Sequence, residues 1–228
     1  MTPEKLIKEG LHQLGLSCSQ EQINAFLTFI SELKKWNRAY NLTALKTDKD
    51  IIIKHFLDSI LYLKALELHP VRGKLDSDRV KIADAGSGAG FPGIPIKIIK
   101  PEIHITLIEP SRKKTSFLRH IIRALKLDGI IILNKRIEIL GRNYEDAYDF
   151  IVSRATFKIK DFIKKACPYV KEDGRLVLSK GPGVSEEIKE LKSVWDDSEM
   201  SGRQSIIKKT LRLPFNNTER NLLLIKCQ

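Results

Sequence analysis

The chain has 228 residues, with 40 Lys plus Arg against 28 Asp plus Glu and therefore a formal net charge of +12. That length can bury roughly 70 to 75 % of the surface exposed when unfolded, and it fits one α/β domain with an appended subdomain. The 42 % apolar and 30 % charged shares exclude a disulfide-stapled miniprotein, wholesale disorder and a membrane channel.

Residues 1–72 read as a helical subdomain. Thr2-Pro3-Glu4 supplies an N-cap, a proline at the first helical position and an acid in the first turn, and Gly15 closes that helix. A second helix follows Ser19, with Ile23, Phe26, Leu27, Ile30, Leu33, Trp36 and Tyr40 in one apolar stripe. The third stretch, Asp50 to about Leu68, is apolar all round and carries His55, Asp58 and Ser59 in its middle. From residue 73 to 228 the rhythm becomes that of βαβ units around a mostly parallel sheet. Strands are predicted at Val80–Ala85, Ile103–Glu109, Ile130–Leu133, Tyr148–Ser153 and Arg175–Ser179. Helices are predicted at Ile94–Ile99, Ser111–Leu127, Lys158–Val170 and Ser185–Trp195. Two last strands, near Ser205–Leu213 and Asn221–Ile225, are placed to pair antiparallel, after a long polar loop around Asp196–Arg203.

Cys18, Cys167 and Cys227 are odd in number and far apart, so neither a disulfide framework nor a zinc site is expected. Cys167 reads as an inert buried thiol, and the thiols suggest a reducing, cytosolic address. No uncharged apolar run reaches the 18 or so residues of a membrane span, and Met1 to Glu9 mixes acids and bases where a signal peptide is apolar. The positive surplus favours a polyanionic partner.

The strongest local signal is Lys81 to Gly93, KIADAGSGAGFPG, a first strand running into Gly86, Gly88, Gly90 and Gly93. Glycines there permit positive φ and let backbone N–H groups approach a ligand at the mouth of a helix. The pattern suits S-adenosylmethionine, while Gly88, Gly90 and Gly93 also satisfy a dinucleotide spacing. Asp84, two residues before the first glycine, and Pro92, where a pyrophosphate needs N–H donors, favour S-adenosylmethionine. Glu109, at the end of the second strand, is the candidate acceptor for ribose hydroxyls under either reading.

Wound at 100° per residue, Arg112, Arg119, Arg123 and Lys126 fall within about 60° of one another, opposite an apolar face. Further bases gather at Lys34, Lys35 and Arg38, at Lys158 to Lys165, and at Lys208, Lys209 and Arg212, which suits a phosphate-contacting surface. The segment after the fourth strand, Ser153-Arg154-Ala155-Thr156, lacks the Asp/Asn-Pro-Pro-aromatic tetrad of adenine-amine methylation.

In order along the chain, WNRAYNLT at 36–43, HFLDS at 55–59, GSGAGFPGIP at 86–95, SRA at 153–155, Lys180-Gly181 and ERNL at 219–222 resemble the bacterial small-subunit ribosomal RNA (guanine-N7) methyltransferases, the glucose-inhibited division protein B family. The resemblance implies a Rossmann-like, seven-stranded methyltransferase sheet with an antiparallel C-terminal hairpin and an N-terminal helical cap. It implies methyl transfer from S-adenosylmethionine to a guanine N7 in 16S rRNA, free or in the small ribosomal subunit. Alongside it, a cytoplasmic monomer with no metal, DNA or membrane partner is expected. Gly86, Phe91, Ile137, Glu138 and Arg154 fall at its cofactor-binding positions; Glu109 stands where an Asp is more usual, and Thr156-Phe157 is an atypical continuation. No catalytic base is assigned, since N7 carries an in-plane lone pair, although Asp58, Glu138 and carbonyls near Arg154 are candidate acceptors for the developing charge. His55 and Asp58 read as a core-facing polar network, and Trp36 and Tyr40 as core packing rather than base-stacking rings. The rival readings are a nicotinamide-dependent oxidoreductase and a non-catalytic RNA-binding module.

Overall fold

The structure, a computed structural model, describes residues 1–67, 80–154, 157–196 and 205–227, without side-chain detail for 192–196. The expected 72/73 boundary, Ala155, Thr156 and the polar loop at 197–203 lie outside the described residues.

Local chemistry sets the helical cap. Thr2 caps α1 (Pro3–Gln13) by accepting from the Lys5 N–H, and Gly15 follows it at φ +70°. Ser19 and Gln22 form a reciprocal capping box on α2 (Gln20–Tyr40). The third stretch starts with α3 (Asp48–Ile51), passes through a π-helical segment at Ile52–Leu57 and continues as α4 (Asp58–Leu66). Such π segments concentrate at functional sites, and this one carries His55.

Five parallel strands, β1 (Lys81–Ala85), β2 (His104–Ile108), β3 (Ile130–Leu133), β4 (Tyr148–Ser153) and β5 (Val170–Lys180), alternate with α5 (Gly93–Ile99), α6 (Arg112–Ala124) and α7 (Ile159–Ala166). After α8 (Val184–Asp196), β6 (Ser205–Arg212) and β7 (Glu219–Lys226) close the sheet in the order β3-β2-β1-β4-β5-β7-β6. β7 alone runs against the direction of the other six strands, pairing antiparallel with both β5 and β6. The chain reverses direction across the sheet between β1 and β4, and ligands of such sheets bind at that switch point, beyond the strands' carboxyl ends.

Strand alternation builds two cores. Ile82, Leu107, Phe150 and Val177 face the cap, α5 and α6, whereas Ala83, Ala85, Ile108, Ile151 and Leu176 face α7 and α8. Within the first core, Phe29 of α2 stacks on Phe56 at 5.3 Å, on Phe91 at 5.2 Å and on Phe117 of α6 at 6.3 Å. Four segments therefore share one aromatic cluster, so the cap is packed into the same core as the sheet.

Two expectations change. β5 begins at Val170, five residues early, because Lys171–Gly174, a turn-like polar run, bulges within the strand where Tyr148 pairs Val170 and Phe150 pairs Arg175. Cys167 is not an inert thiol: it is joined to Cys227 across 60 residues, with the Cα atoms 5.6 Å apart. The pairing of Leu176 with Ile225 brings the end of β7 back to the start of β5, beside Cys167. That proximity exists only in the folded sheet. Cys18 is a free thiol. Among the described residues no helix is long and apolar enough to cross a membrane, and no His, Cys, Asp or Glu cluster suits a metal ion.

Candidate active site

β1 delivers Asp84 and Ala85 to the sheet's carboxyl edge, and the chain then turns through Gly86, Gly88 and Gly90 at φ +76°, +59° and +94°. Side chains rarely adopt this region. The Gly86 N–H donates to the Ile108 carbonyl at 2.9 Å, and those of Gly90 and Phe91 to the Ser87 carbonyl at 2.8 and 2.9 Å. Gly93 opens α5 against the strand: a Cβ there would lie 2.5 Å from Leu107 Cδ2. Its N–H donates to Asp84 Oδ2 at 2.8 Å. The acid before the glycines thus ties the far end of the loop to the strand.

Asp84 Oδ1 and Ser87 Oγ, both buried, have no hydrogen-bond partner among the described residues. Buried polar atoms are rarely left so, and both oxygens can take a further donor, although neither Asp84 nor Ser87 is in the lining of the cavity beside the loop. Burial raises the Asp84 carboxyl to about 7, against the Gly93 N–H and Arg154, which hold it down, while Glu109 pushes it further up.

Beside the loop a cavity of about 370 Å³ is lined by Gly86, Ile108, Glu109, Ile137, Glu138 and Phe157, with Lys114, Lys135, Arg136 and Lys165 at its wall. Glu109 is 4 % exposed and accepts from Gly88 N–H and Ser111 N–H, each at 2.9 Å. It fixes the middle of the loop and the start of α6 while retaining lone pairs for a diol. Ile137 is buried in a 3-10 turn, and exposed Glu138 pairs with Lys165 at 3.4 Å. The Glu138 carboxyl is held below its usual value, first by its own backbone N–H.

Four of the six residues proposed from sequence, Gly86, Glu109, Ile137 and Glu138, therefore share one cavity. Phe91 and Arg154 are not in its lining. The Phe91 ring is 5 % exposed and stacks on His55 at 4.4 Å as well as on Phe29. Arg154, directly after β4, lies over the Phe91 ring, 5.3 Å from its centre. It donates to His55 Nδ1 at 2.7 Å and to the Lys54 carbonyl at 3.2 Å, and pairs with Asp58 at 3.5 Å. Arg220 of β7 donates to the other Asp58 oxygen at 2.8 Å. Because Arg154 occupies Nδ1, His55 is assigned the tautomer that donates from Nε2 to Thr43 Oγ1, at 2.7 Å. Burial and then Arg154 lower its pKa to about 3, so this imidazole is neutral at any physiological pH. The expected His55–Asp58 polar network is present.

Sequence reasoning missed Ser87, Thr43 and Arg220 as members of this assembly. Thr43 ends the WNRAYNLT segment and Arg220 lies in ERNL, but nothing in their spacing joins them to His55 or Asp58. Tyr40 is a correction. It is 43 % exposed rather than core-packed, because the buried residues of α2 end with Leu33 and Tyr40 sits about two turns further on, against the Trp36 ring at 5.4 Å. Trp36 is half-buried against Phe117 at 5.6 Å and His120 at 5.0 Å.

The donor set fits one cofactor. Unpartnered Asp84 Oδ1 and Ser87 Oγ suit an amino-acid ammonium, Glu109 suits ribose hydroxyls, and an apolar wall at Ile108, Ile137 and Phe157 suits a purine. The sheet order, the glycine loop and this cavity define an S-adenosylmethionine-dependent methyltransferase of Rossmann-like fold. A likeness in fold is seen to an S-adenosylmethionine-dependent methyltransferase of Aquifex aeolicus, at a TM-score of 0.53 and 16 % identity, over 78 % of this chain and 93 % of that one. Within the class, the chain belongs to the GidB family, rRNA small subunit methyltransferase G, whose family model matches residues 22–212. It is 35 % identical to the ribosomal RNA small subunit methyltransferase G of Geotalea uraniireducens, over 99 % of this chain and 97 % of that one. To the Clostridium kluyveri protein of the same name it is 39 % identical, over 93 % and 85 %.

Proposed function

We propose that this protein methylates N7 of a specific guanine in 16S rRNA, free or within a small-subunit precursor, using S-adenosylmethionine. The observation that carries the reading is the loop–cavity assembly with its two unpartnered buried oxygens, in a chain of the small-subunit rRNA methyltransferase G family. Bound S-adenosylmethionine supplies an electrophilic methyl group. Asp84 and Ser87 hold the amino-acid end; Gly86, Glu109, Ile137 and Glu138 hold the adenosine end; Phe91 and Arg154 keep the loop and the strand edge in place.

Guanine N7 presents its lone pair in the base plane, so no proton must leave before attack, and alignment supplies most of the rate. The site agrees with that requirement. His55 is neutral and engaged at both nitrogens, and Asp58 is spent on two arginines, so neither is free to abstract a proton. Backbone carbonyls beyond β4 are then the natural acceptors for the charge that develops on the purine.

The organisation we infer is a cap of residues 1–72 on a catalytic domain of 73–228, acting as a monomer on RNA rather than DNA. The cytoplasm is the proposed location because the substrate is made there; the Cys167–Cys227 bond removes the thiol argument for it. In the test, purified protein and labelled S-adenosylmethionine are incubated with small-subunit RNA from cells lacking the gene. One labelled guanine, cleavable by borohydride and aniline, is the expected product. Label confined to protein, or to another atom or base, refutes the reading.

A further inference from the structure

The cofactor cavity does not use exposed Tyr40 or the basic outer face of α6. We propose that Tyr40 is a stacking platform for an unpaired base of the rRNA, with phosphates held by Arg112, Lys113, Arg119 and Arg123; the proposal rests on the rRNA methyltransferase reading.

The two features lie together at the reacting edge. Glu32 of α2 contacts His120 of α6, and Trp36, one turn on, contacts His120 and then Phe117. Gln22, at the start of α2, donates to the Ile98 and Ile99 carbonyls at the end of α5, away from the cofactor edge, so α2 runs toward that edge while α6 starts there and runs away from it; Tyr40, about 6 Å beyond Trp36, lies toward the Lys113 end of α6. That end follows Glu109-Pro110 at the cofactor edge of the sheet. From the other side, Tyr40 is three residues from Thr43, so their Cα atoms are within about 11 Å, and Thr43 leads through His55 to Arg154.

The platform is rigid. Trp36 supports the Tyr40 ring at 5.4 Å, and the Asn37 side chain holds the following turn by bonding both Thr43 N–H and Thr43 C=O, at 2.8 and 2.9 Å. A ring that is 43 % exposed yet held from beneath loses little freedom when a base stacks on it. The charge is placed against the fold's own interest. The first turn of α6 carries Arg112, Lys113 and Lys114 and no acid, where the helix dipole disfavours cations. Arg112, Lys113, Arg119 and Arg123 are exposed, with no carboxylate within salt-bridge distance among the described residues. An isolated aromatic beside such cations, with exposed Ala39 and Asn41 rather than an apolar patch around it, fits single-stranded RNA better than a protein or membrane surface.

The test measures binding of small-subunit rRNA to wild type and variants by filter retention across a salt series, with cofactor affinity followed by calorimetry. Tyr40→Ala is expected to weaken RNA binding about ten-fold, within the range of about 5- to 150-fold for losing one stacked base. Its salt slope and cofactor affinity stay unchanged, and Tyr40→Phe restores binding. Arg112→Gln with Lys113→Gln lowers the slope of log K against log salt by about 1.4 to 1.8. RNA affinity of Tyr40→Ala within two-fold of wild type, an inactive Tyr40→Phe, or phosphatidylserine vesicles that compete as well as rRNA overturns the proposal. If wild type methylates rRNA while Tyr40→Ala binds it normally, the platform falls and the enzyme stands. If wild type neither binds nor methylates rRNA, both fall.

Discussion

Cofactor affinity should depend on the protonation of Asp84. Its carboxyl is fully buried, accepts at one oxygen from the Gly93 N–H, has the other unpartnered, and is pushed up to about 7 by burial. An ammonium placed against Oδ1 binds the carboxylate and not the acid. With a pKa near 7, about 3 % of Asp84 is ionised at pH 5.5 and about 76 % at pH 7.5, so affinity should rise roughly 25-fold between them. Calorimetry in two buffers of different ionisation enthalpy would also show proton release on binding at the lower pH. Asp84→Asn keeps an acceptor for Gly93, so its affinity should be low and flat across this range. A wild-type dissociation constant that stays within three-fold, or an Asp84→Asn protein binding normally at pH 7.5, refutes the placement of the ammonium at Asp84.

The same carboxyl fixes a sign for stability. Unfolded, it titrates at its ordinary value of 3.8, and folded at about 7, so between these pH values the folded state binds more protons than the unfolded state. The Asp84 contribution to stability is therefore greatest at the acid end and is lost as pH rises through about 7, with a slope approaching about 1.4 kcal/mol for each pH unit between the two values. The empty protein should show this slope in urea unfolding, and Asp84→Asn should remove it.

Glu109→Ala releases the N–H groups of Gly88 and Ser111 and deletes the ribose acceptor; a loss of about 1.5–3 kcal/mol for charged hydrogen bonds predicts cofactor binding weaker by roughly 10- to 150-fold in calorimetry, and an unchanged affinity would clear Glu109 of the role. Asp58→Ala strands Arg154 and Arg220 at a carboxylate whose side chain is 9 % exposed. Breaking such a pair costs about 3–5 kcal/mol, to be read from urea midpoints; a change under about 1 kcal/mol would mean the arginines reach solvent. Cys227→Ser opens a 60-residue loop, for which chain entropy gives about 4 kcal/mol. Dithiothreitol should destabilise wild type equally and leave the variant unmoved; insensitivity of wild type would count against the bond.

Local rules made much of this fold legible in the sequence. Thr2, Gly15 and Ser19 act within four residues of themselves, so caps and helix starts follow from types and spacing, and β3 and β4 match their expected limits. Gly86 and Glu109 were legible for the same reason, each marking the end of a strand. What escaped depends on contacts between distant segments. Cys227 meets Cys167 only because β7 inserts antiparallel beside β5, and Arg220 reaches Asp58 across 162 residues for the same reason. Tyr40 continues the α2 stripe in the correct phase, but periodicity does not say where along the stripe burial ends, which here is at Leu33.

That dependence on β7 bears on why the cap and the catalytic sheet are not separable. Phe91 belongs to the cofactor loop by sequence, yet its ring lies between Phe29 of α2 and His55 of the π-helical segment. Arg154 leaves the tip of β4 and is held by His55 and by Asp58, and Asp58 is held in turn by Arg220 of β7. The cap thus grips the loop through stacked rings and the strand edge through charge, from residues only three apart. A π-helical segment changes the angular spacing of successive residues, and it is through this segment that His55 faces both Phe91 and Arg154 while Asp58 reaches β7. The cap therefore orders the cofactor loop from the side opposite the sheet, and its surface at Tyr40 lies one short turn from the groups that do so.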